Sequence, residues 1–433
     1  MTSLNRRAFL GTTLAGAAAC ISAKFAANSI PKAIQGTPGL PHGPAYRPAT
    51  LHLTWQRDPT TTMTVQWVDA AGATPDTTIY YTQAMSLSWF NDWHACAVAE
   101  KPFPKTDLKV FRAELAGLKP GTDYDFRIGH NSPTFRFRTM PAKANDTISF
   151  ISGGDAGVNE HAVNNNINAA RQDPMFAVIG GDLAYENGKS ASTFIAFLRN
   201  YSKHMIGRNG RLIPMVTCIG NHEVDGSYDQ PREKAPFFYA MFDGLYPETG
   251  YSVLDFGDYL SLVLLDTGHT SSIGGEQCDW LRQMLKDRMD HPHVMVVNHV
   301  PAYPSYRNMV NASGTGGTGF ENREYWVPLF EKYRVPVVLE HHDHTFKRSK
   351  PLLNGLAHTN GVLYLGDGSW GKLRTPKPPE KLPHMAAMSK DYHLSLHRLQ
   401  GQDRFHLALD EFGRVMDVCH TGQRRQGLVA AAG

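Results

Sequence analysis

The sequence predicts an antiparallel all-β segment followed by a layered α/β domain, and three observations carry that prediction. Between Leu51 and Met140 apolar and polar residues alternate, as in Thr62-Met63-Thr64-Val65-Gln66-Trp67-Val68 and Tyr124-Asp125-Phe126-Arg127-Ile128, with a turn signal at Lys119-Pro120-Gly121. Period two broken by turns means antiparallel strands. From Asp146 onward strand-like runs alternate with helical stretches at 191–205 and 277–289, which implies a layered α/β domain. Five of those apolar runs end in short segments rich in Asp, Asn and His.

Taken in chain order, Asn5-Arg6-Arg7-Ala8-Phe9-Leu10 resembles a twin-arginine export signal, with a weakly apolar run from Phe9 to Ala19 behind it. That run is shorter than the roughly 20 residues a membrane span needs. Ala17-Ala18-Ala19 offers a cleavage site, and Cys20 beside it leaves lipid anchoring as an alternative. Residues 1–27 are therefore read as a signal handled by the twin-arginine export machinery, and the mature chain as bacterial and periplasmic, secreted or surface-bound. Residues 28–46, rich in proline and glycine, read as a linker. The all-β domain spans 47–141, the catalytic domain 146–422, and 423–433 form a flexible tail. In the helical stretch 277–289, Trp280, Leu281, Met284 and Leu285 sit at helical spacing and are expected in the core. Residues 311–319 read as a flexible loop, either a lid or a plain surface loop, and 372–381 as an exposed proline-rich connection.

The five polar segments are GGDAG at 153–157, GDLAY at 181–185, GNHE at 220–223, NHVPAY at 298–303 and HHDH at 341–344. Each follows a strand, and the carboxyl ends of strands in an open α/β sheet share one edge, so distant loops converge. A pair of ions about 3.5–4 Å apart needs a shared anionic ligand and terminal oxygen and nitrogen ligands. Asp182 is the natural bridge. Asp155, Tyr185 and His344 complete one ion, with hard donors that favour Fe(3+); Asn221, His299 and His342 complete the other, which suits divalent Zn, Mn or Fe.

This constellation resembles the purple acid phosphatases of the metallophosphoesterase superfamily, whose pattern is D-x-G, G-D-x-x-Y, G-N-H-[DE], V-x-x-H and G-H-x-H. Residues 251–267 and GEQCDWL at 275–281 are similar to that family's strand pair and following helix start, and 48–141 resembles its small fibronectin type III-like domain. The resemblance implies a four-layer α/β (α+β) metallophosphoesterase β-sandwich flanked by helices, preceded by a small all-β sandwich. It also implies that His222 contacts the substrate phosphate or helps protonate the leaving oxygen. Two departures stand out. His341 occupies the position of the family's usual glycine, so it either faces the substrate or lies in a solvated loop. Residues 300–339 contain no histidine where plant members carry a substrate-contacting one, which leaves Tyr303, Tyr306 and Arg307 as local candidates. Arginine clamps phosphate but cannot donate a proton to a leaving group.

The function these readings predict is an exported acid phosphatase that hydrolyses phosphate monoesters, with a metal-bound hydroxide attacking phosphorus. A ferric and a divalent ion carry about +5, which Asp155, Asp182, Tyr185 and one hydroxide reduce by roughly 4, so the pocket stays cationic and attracts an anionic ester. A phosphodiesterase using the same ions is the alternative. An inactive surface protein whose metals only stabilise the fold is a third reading, disfavoured by the complete ligand set.

With 43 Lys and Arg against 40 Asp and Glu, the net charge of +3 gives no basic surplus for nucleic acid. The 433 residues, 42% hydrophobic, suffice for a large core. Beyond Cys20, Cys96, Cys218, Cys278 and Cys419 show no C-x-x-C spacing, which excludes a zinc knuckle; Cys218 reads as a buried thiol. His358, His384, His393, His397, His406 and His420 are read as surface or hydrogen-bonded residues.

Overall fold

The alternation in the first part of the chain becomes two four-stranded antiparallel sheets in the computed structural model, which describes residues 45–84, 92–144, 147–366 and 368–422. The signal segment, most of the linker and the C-terminal tail lie outside the described residues. One sheet orders His52–Thr54, Met63–Ala70, Leu108–Leu115 and Ala99–Pro102; the other orders His94–Cys96, Ile79–Gln83, Asp123–Ile128 and Phe135–Arg138. Inward residues such as Val65, Trp67, Val110, Phe126 and Phe137 are buried, with Trp67 stacked on Phe111.

The rest of the described chain builds two larger sheets flanked by helices. In the six-stranded sheet, Met215–Thr217, Ala177–Ile179 and Ile148–Gly153 run parallel, and His393–Gln400, Asp403–Asp410 and Val415–Thr421 extend it antiparallel. The seven-stranded sheet centres on Leu260–Leu265, His293–Asn298, Val337–Glu340 and Leu363–Gly366, all parallel.

Period-two packing explains why these central strands read as unbroken apolar runs. Leu262, Leu264, Met295, Val297, Val337 and Leu339 join the core shared with the other sheet, while Val263, Leu265, Val296 and Val338 face a second core against helices Glu276–Asp287 and Val327–Lys332. Strands covered on both faces keep no polar side. In Glu276–Asp287 the buried residues are Gln277, Cys278, Leu281 and Leu285; Trp280 and Met284 are only half-buried, so the expected four-residue stripe is corrected by one step around the helix. Trp280 covers Tyr251 at the edge of that core.

The two parts pack through Trp55, which meets Phe176 and Phe256 edge-on at 5.9 and 5.7 Å. A polar clamp sits beside it. Asp243 takes Arg112 Nη1 and Lys101 Nζ, each at 2.6 Å, while Arg112 Nη2 donates to the Met241 carbonyl at 2.8 Å. Burial alone would raise the Asp243 carboxyl, but Arg112 and Lys101 hold it below its ordinary value. A depressed carboxyl stabilises above its unfolded pKa of about 3.9 and loses that contribution only as pH falls through the lower folded value. Asp243→Asn should therefore cost about 1 kcal/mol near neutrality, limited by partial exposure, and the gap to wild type should close below about pH 4. Urea unfolding of both proteins from pH 7 to pH 3 measures this; a gap independent of pH would refute it.

Among the described residues, Cys96, Cys218, Cys278 and Cys419 are free thiols, and no helix is long and apolar enough to cross a membrane.

Candidate metal centre

The carboxyl ends of five strands from both sheets meet at one place. Asp155 follows Ile148–Gly153, Asp182 and Tyr185 follow Ala177–Ile179, Asn221 follows Met215–Thr217, His299 follows His293–Asn298, and His342 and His344 follow Val337–Glu340. Backbone hydrogen bonds stitch the loops together: Asp155 N donates to the Gly181 carbonyl, Ala156 N to that of Asp182, and His341 N to that of His299, at 3.0–3.1 Å. Five of the seven residues hold a left-handed backbone: Asp155, Asp182, Tyr185, His342 and His344, with φ between 53° and 74°. Such conformations in non-glycine residues cluster where function demands them. Gly368 closes the ring, since a Cβ there would lie 1.7 Å from Asp155 Oδ2.

The donor atoms form two groups that share Asp182. Asp182, His299 and His342 make one and Asp155, Asp182 and His344 the other, with ligand atoms within 4.8 Å of one another in each. Tyr185 Oη lies 3.0 Å from both Asp155 Oδ1 and His344 Nε2, and His299 Nε2 lies 3.2 Å from Asn221 Oδ1 and 3.1 Å from His342 Nδ1. Protons now join these donors, and the same lone pairs are the ones that would turn to a cation placed among them. Asp182 Oδ2 is fully buried, and His299 Nε2 stands 3.3 Å from it, too long for a strong charge-assisted hydrogen bond. The residues present therefore fit a pair of ions.

The electrostatics of these residues point the same way. Burial alone would raise Asp182, yet His299, His222 and His342 hold its carboxyl far below the ordinary range. Burial would lower His299, but Asp182 and Asp155 more than offset it and lift the imidazole to about 9. Burial, together with Asp155 and Asp182, pushes the Tyr185 phenol well above 10. A phenolate here thus needs a strongly charged cation beside it.

Surrounding groups hold the ligands. Glu223, fully buried and lifted to about 8 by burial and by Asp182, accepts from the backbone N–H groups of Gly220, Asp182 and Leu183 at 2.7–2.8 Å. His222 packs its ring 4.4 Å from that of Tyr185, with Nδ1 2.5 Å from Asn187 Oδ1. That contact fixes the Nδ1–H tautomer and leaves Nε2, 4.0 Å from Asp182 Oδ2, toward the donor cluster. His269 lies buried behind His299, bonded to Thr267 and Ser227. Sequence reasoning missed Asn187 and His269 because neither belongs to a motif; Glu223 stood in GNHE without an assigned role.

Three expectations are corrected. His341 is neither substrate-facing nor solvated: it is 1% exposed, with its ring packed so tightly on Gly180 and Gly154 that a Cβ on Gly180 would fall 1.9 Å from it. The glycine pair opposite supplies the room that a glycine at 341 would otherwise leave empty. Arg307 is not a free phosphate clamp, because its Nη1 donates to Asp343 Oδ1 and to the His342 carbonyl, both at 2.6 Å. It tethers the histidine loop. Tyr303 is buried against Tyr364, which leaves Tyr306, 40% exposed, as the tyrosine at the surface there. Of the other histidines, His393, His397 and His406 are buried and hydrogen-bonded.

Comparison with known proteins agrees with this architecture. The sequence family described as purple acid phosphatase, N-terminal domain, matches residues 48–139. Purple acid phosphatase 21 of Arabidopsis thaliana is 25% identical over 344 residues, covering 73% of this chain and 75% of its own length. Acid phosphatase type 7 of Mus musculus is 24% identical over 421 residues, covering 89% and 92%. The structure of purple acid phosphatase PPD1 from yellow lupin superposes with a TM-score of 0.68 at 15% identity, covering 86% of this chain and 74% of the lupin chain, so the two share a fold. The chain thus shares the fold of a purple acid phosphatase, carries an N-terminal domain that matches that family's, and is similar along most of its length to acid phosphatases of that kind.

Proposed function

We propose that this chain is an exported, dinuclear-metal acid phosphatase acting on phosphate monoesters, with its domains divided at 47–141 and 146–422. The observation that carries the reading is the buried Asp182, whose carboxylate belongs to both donor groups. Asp155, Asp182, Tyr185 and His344 would hold a ferric ion, and Asp182, Asn221, His299 and His342 a divalent Zn, Mn or Fe ion. Bound, the pair would supply Lewis-acid charge and an acidified water.

The chain's own groups do the rest. His222, oriented by Asn187, presents Nε2 to the ester and in its imidazolium form supplies the Nε2 proton to the departing oxygen; burial holds its imidazole below the ordinary value, with Asp182 opposing, so that form belongs to acid pH. Glu223 fixes the backbone at Asp182 and Leu183, so the Asp182 carboxylate would need no rearrangement to hold the ions. An N-terminal twin-arginine signal would deliver the folded protein to the periplasm or surface.

The test is hydrolysis of a phosphate monoester and its matched diester by the metal-loaded protein from mild acid to mild alkali. A faster monoester rate at acid pH is expected. A diester preference would move the function to phosphodiesterase. The ferric assignment has its own readout: a visible charge-transfer band lost in Tyr185→Phe. An active, colourless, iron-free protein would overturn it.

A further inference from the structure

One segment described by no motif borders the metal centre and carries cations. Residues 368–374 lie directly over the ligand loops: Trp370 N donates to the Gly154 carbonyl at 3.1 Å, Gly371 N to that of Asp155 at 3.0 Å, and Arg374 N to that of His344 at 2.7 Å. Below, Trp370 is fully buried, its indole N–H donates to Asn166, and Asn165 and Asn159 donate to the carbonyls of Trp370 and Gly371 at 2.6 Å. The backbone is therefore fixed from both sides, and the side chains it projects are placed rather than free.

Two of them are positively charged. Lys372 Nζ stands 4.3 Å from the centre of the Tyr185 ring, whose hydroxyl belongs to the donor cluster, and Arg374 Cζ stands 4.9 Å from the centre of the exposed Tyr306 ring. Among the described residues neither cation has a carboxylate within ion-pair distance. The nearby Asp343 is already committed to Arg307. Tyrosine faces hold cations in place without neutralising them, so their charge stays available to a ligand. Arg374 thus stands at Tyr306, a wall of the open cleft that Thr375 and Lys377 also line, and Lys372 on the side of the donor cluster.

We propose that Lys372 and Arg374 form a second anion-binding position beside the metal centre, selecting esters whose leaving group carries a further phosphate or similar anion. The proposal rests on the phosphatase reading of that centre, which would hold the reacting phosphoryl group while Lys372 and Arg374 take the distal one. Fixed cations recognise an anion with little loss of conformational freedom, which makes the contact selective as well as attractive.

The test is calorimetric binding to the metal-loaded protein of two non-hydrolysable probes, phenylphosphonate and 1,4-phenylenediphosphonate. The diphosphonate should bind about tenfold more tightly, as one or two charge-assisted contacts allow, with an advantage that shrinks as salt rises. In the double variant Lys372→Gln, Arg374→Gln the ratio should fall to near the statistical factor, and Lys372→Glu should reverse it. Equal ratios in wild type and variants would overturn the proposal. Hydrolysis of phenyl phosphate by the same preparation reports the underlying reading separately. A flat ratio with hydrolysis intact removes the subsite alone, whereas a retained diphosphonate preference without hydrolysis supports the subsite and removes the phosphatase reading.

Discussion

Asp182→Asn should leave the fold intact, bind neither ion with useful affinity and lower kcat/KM for a phosphate monoester by at least about 10³-fold, more than the loss of a single transition-state contact. The substitution is nearly isosteric, and the backbone at 182 remains tied to Glu223 and Ala156. What changes is charge and donor polarity. Asp182 belongs to both donor groups, so one substitution removes the anion common to two sites. The amide also places either a neutral oxygen or an N–H donor where Oδ2 now faces His299 Nε2 at 3.3 Å. Metal analysis beside steady-state kinetics decides the matter. A variant that retains two ions and more than a tenth of the activity would show that Asp182 is not the bridge.

Lys347→Met should destabilise the protein by about 3–5 kcal/mol, the usual consequence of stripping one partner from a buried ion pair. Lys347 Nζ and Glu340 Oε2 are 2.7 Å apart, and both side chains are fully enclosed. Lys347 also donates to the Tyr303 carbonyl, while Glu340 Oε1 accepts from Ala302 N at 2.6 Å. The pair thus joins the loop after His299 to the strand leading into His342. Adding Glu340→Gln should recover part of the loss, because the stranded carboxylate is then neutral. Denaturant unfolding of the single and double variants measures this, and a single variant within 1 kcal/mol of wild type would contradict it.

The seven expected ligands were legible because each sits where an apolar strand stops, and strand ends are what period and burial reveal. The structure brings all seven together. Side-chain direction at a loop is a different matter. His341 and His342 are neighbours of the same type, yet one is buried against Gly180 and the other reaches the donor cluster, a choice made by the left-handed turn at His342 that no periodicity encodes. Arg307 failed as a clamp for a related reason: its partner Asp343 lies 36 residues on, inside a motif read only for its histidines. Lys372 and Arg374 were hidden because a cation resting on an aromatic ring has no characteristic spacing. In the first domain, alternation announced antiparallel strands but not the Arg112 clamp, which depends on a partner more than a hundred residues away.

The left-handed backbone at five of the seven donor positions bears on how this protein can change over time. Each is a place where asparagine or glycine would relax the chain, so the metal-free fold gains from losing the residues that make it useful. Variants that lost a donor there would survive any screen for thermal robustness alone. Under the proposed function it is selection on catalysis, not on durability, that maintains those side chains, and a directed-evolution campaign rewarding heat resistance without turnover should drift toward sturdier descendants with glycine or asparagine at 155, 182 or 344.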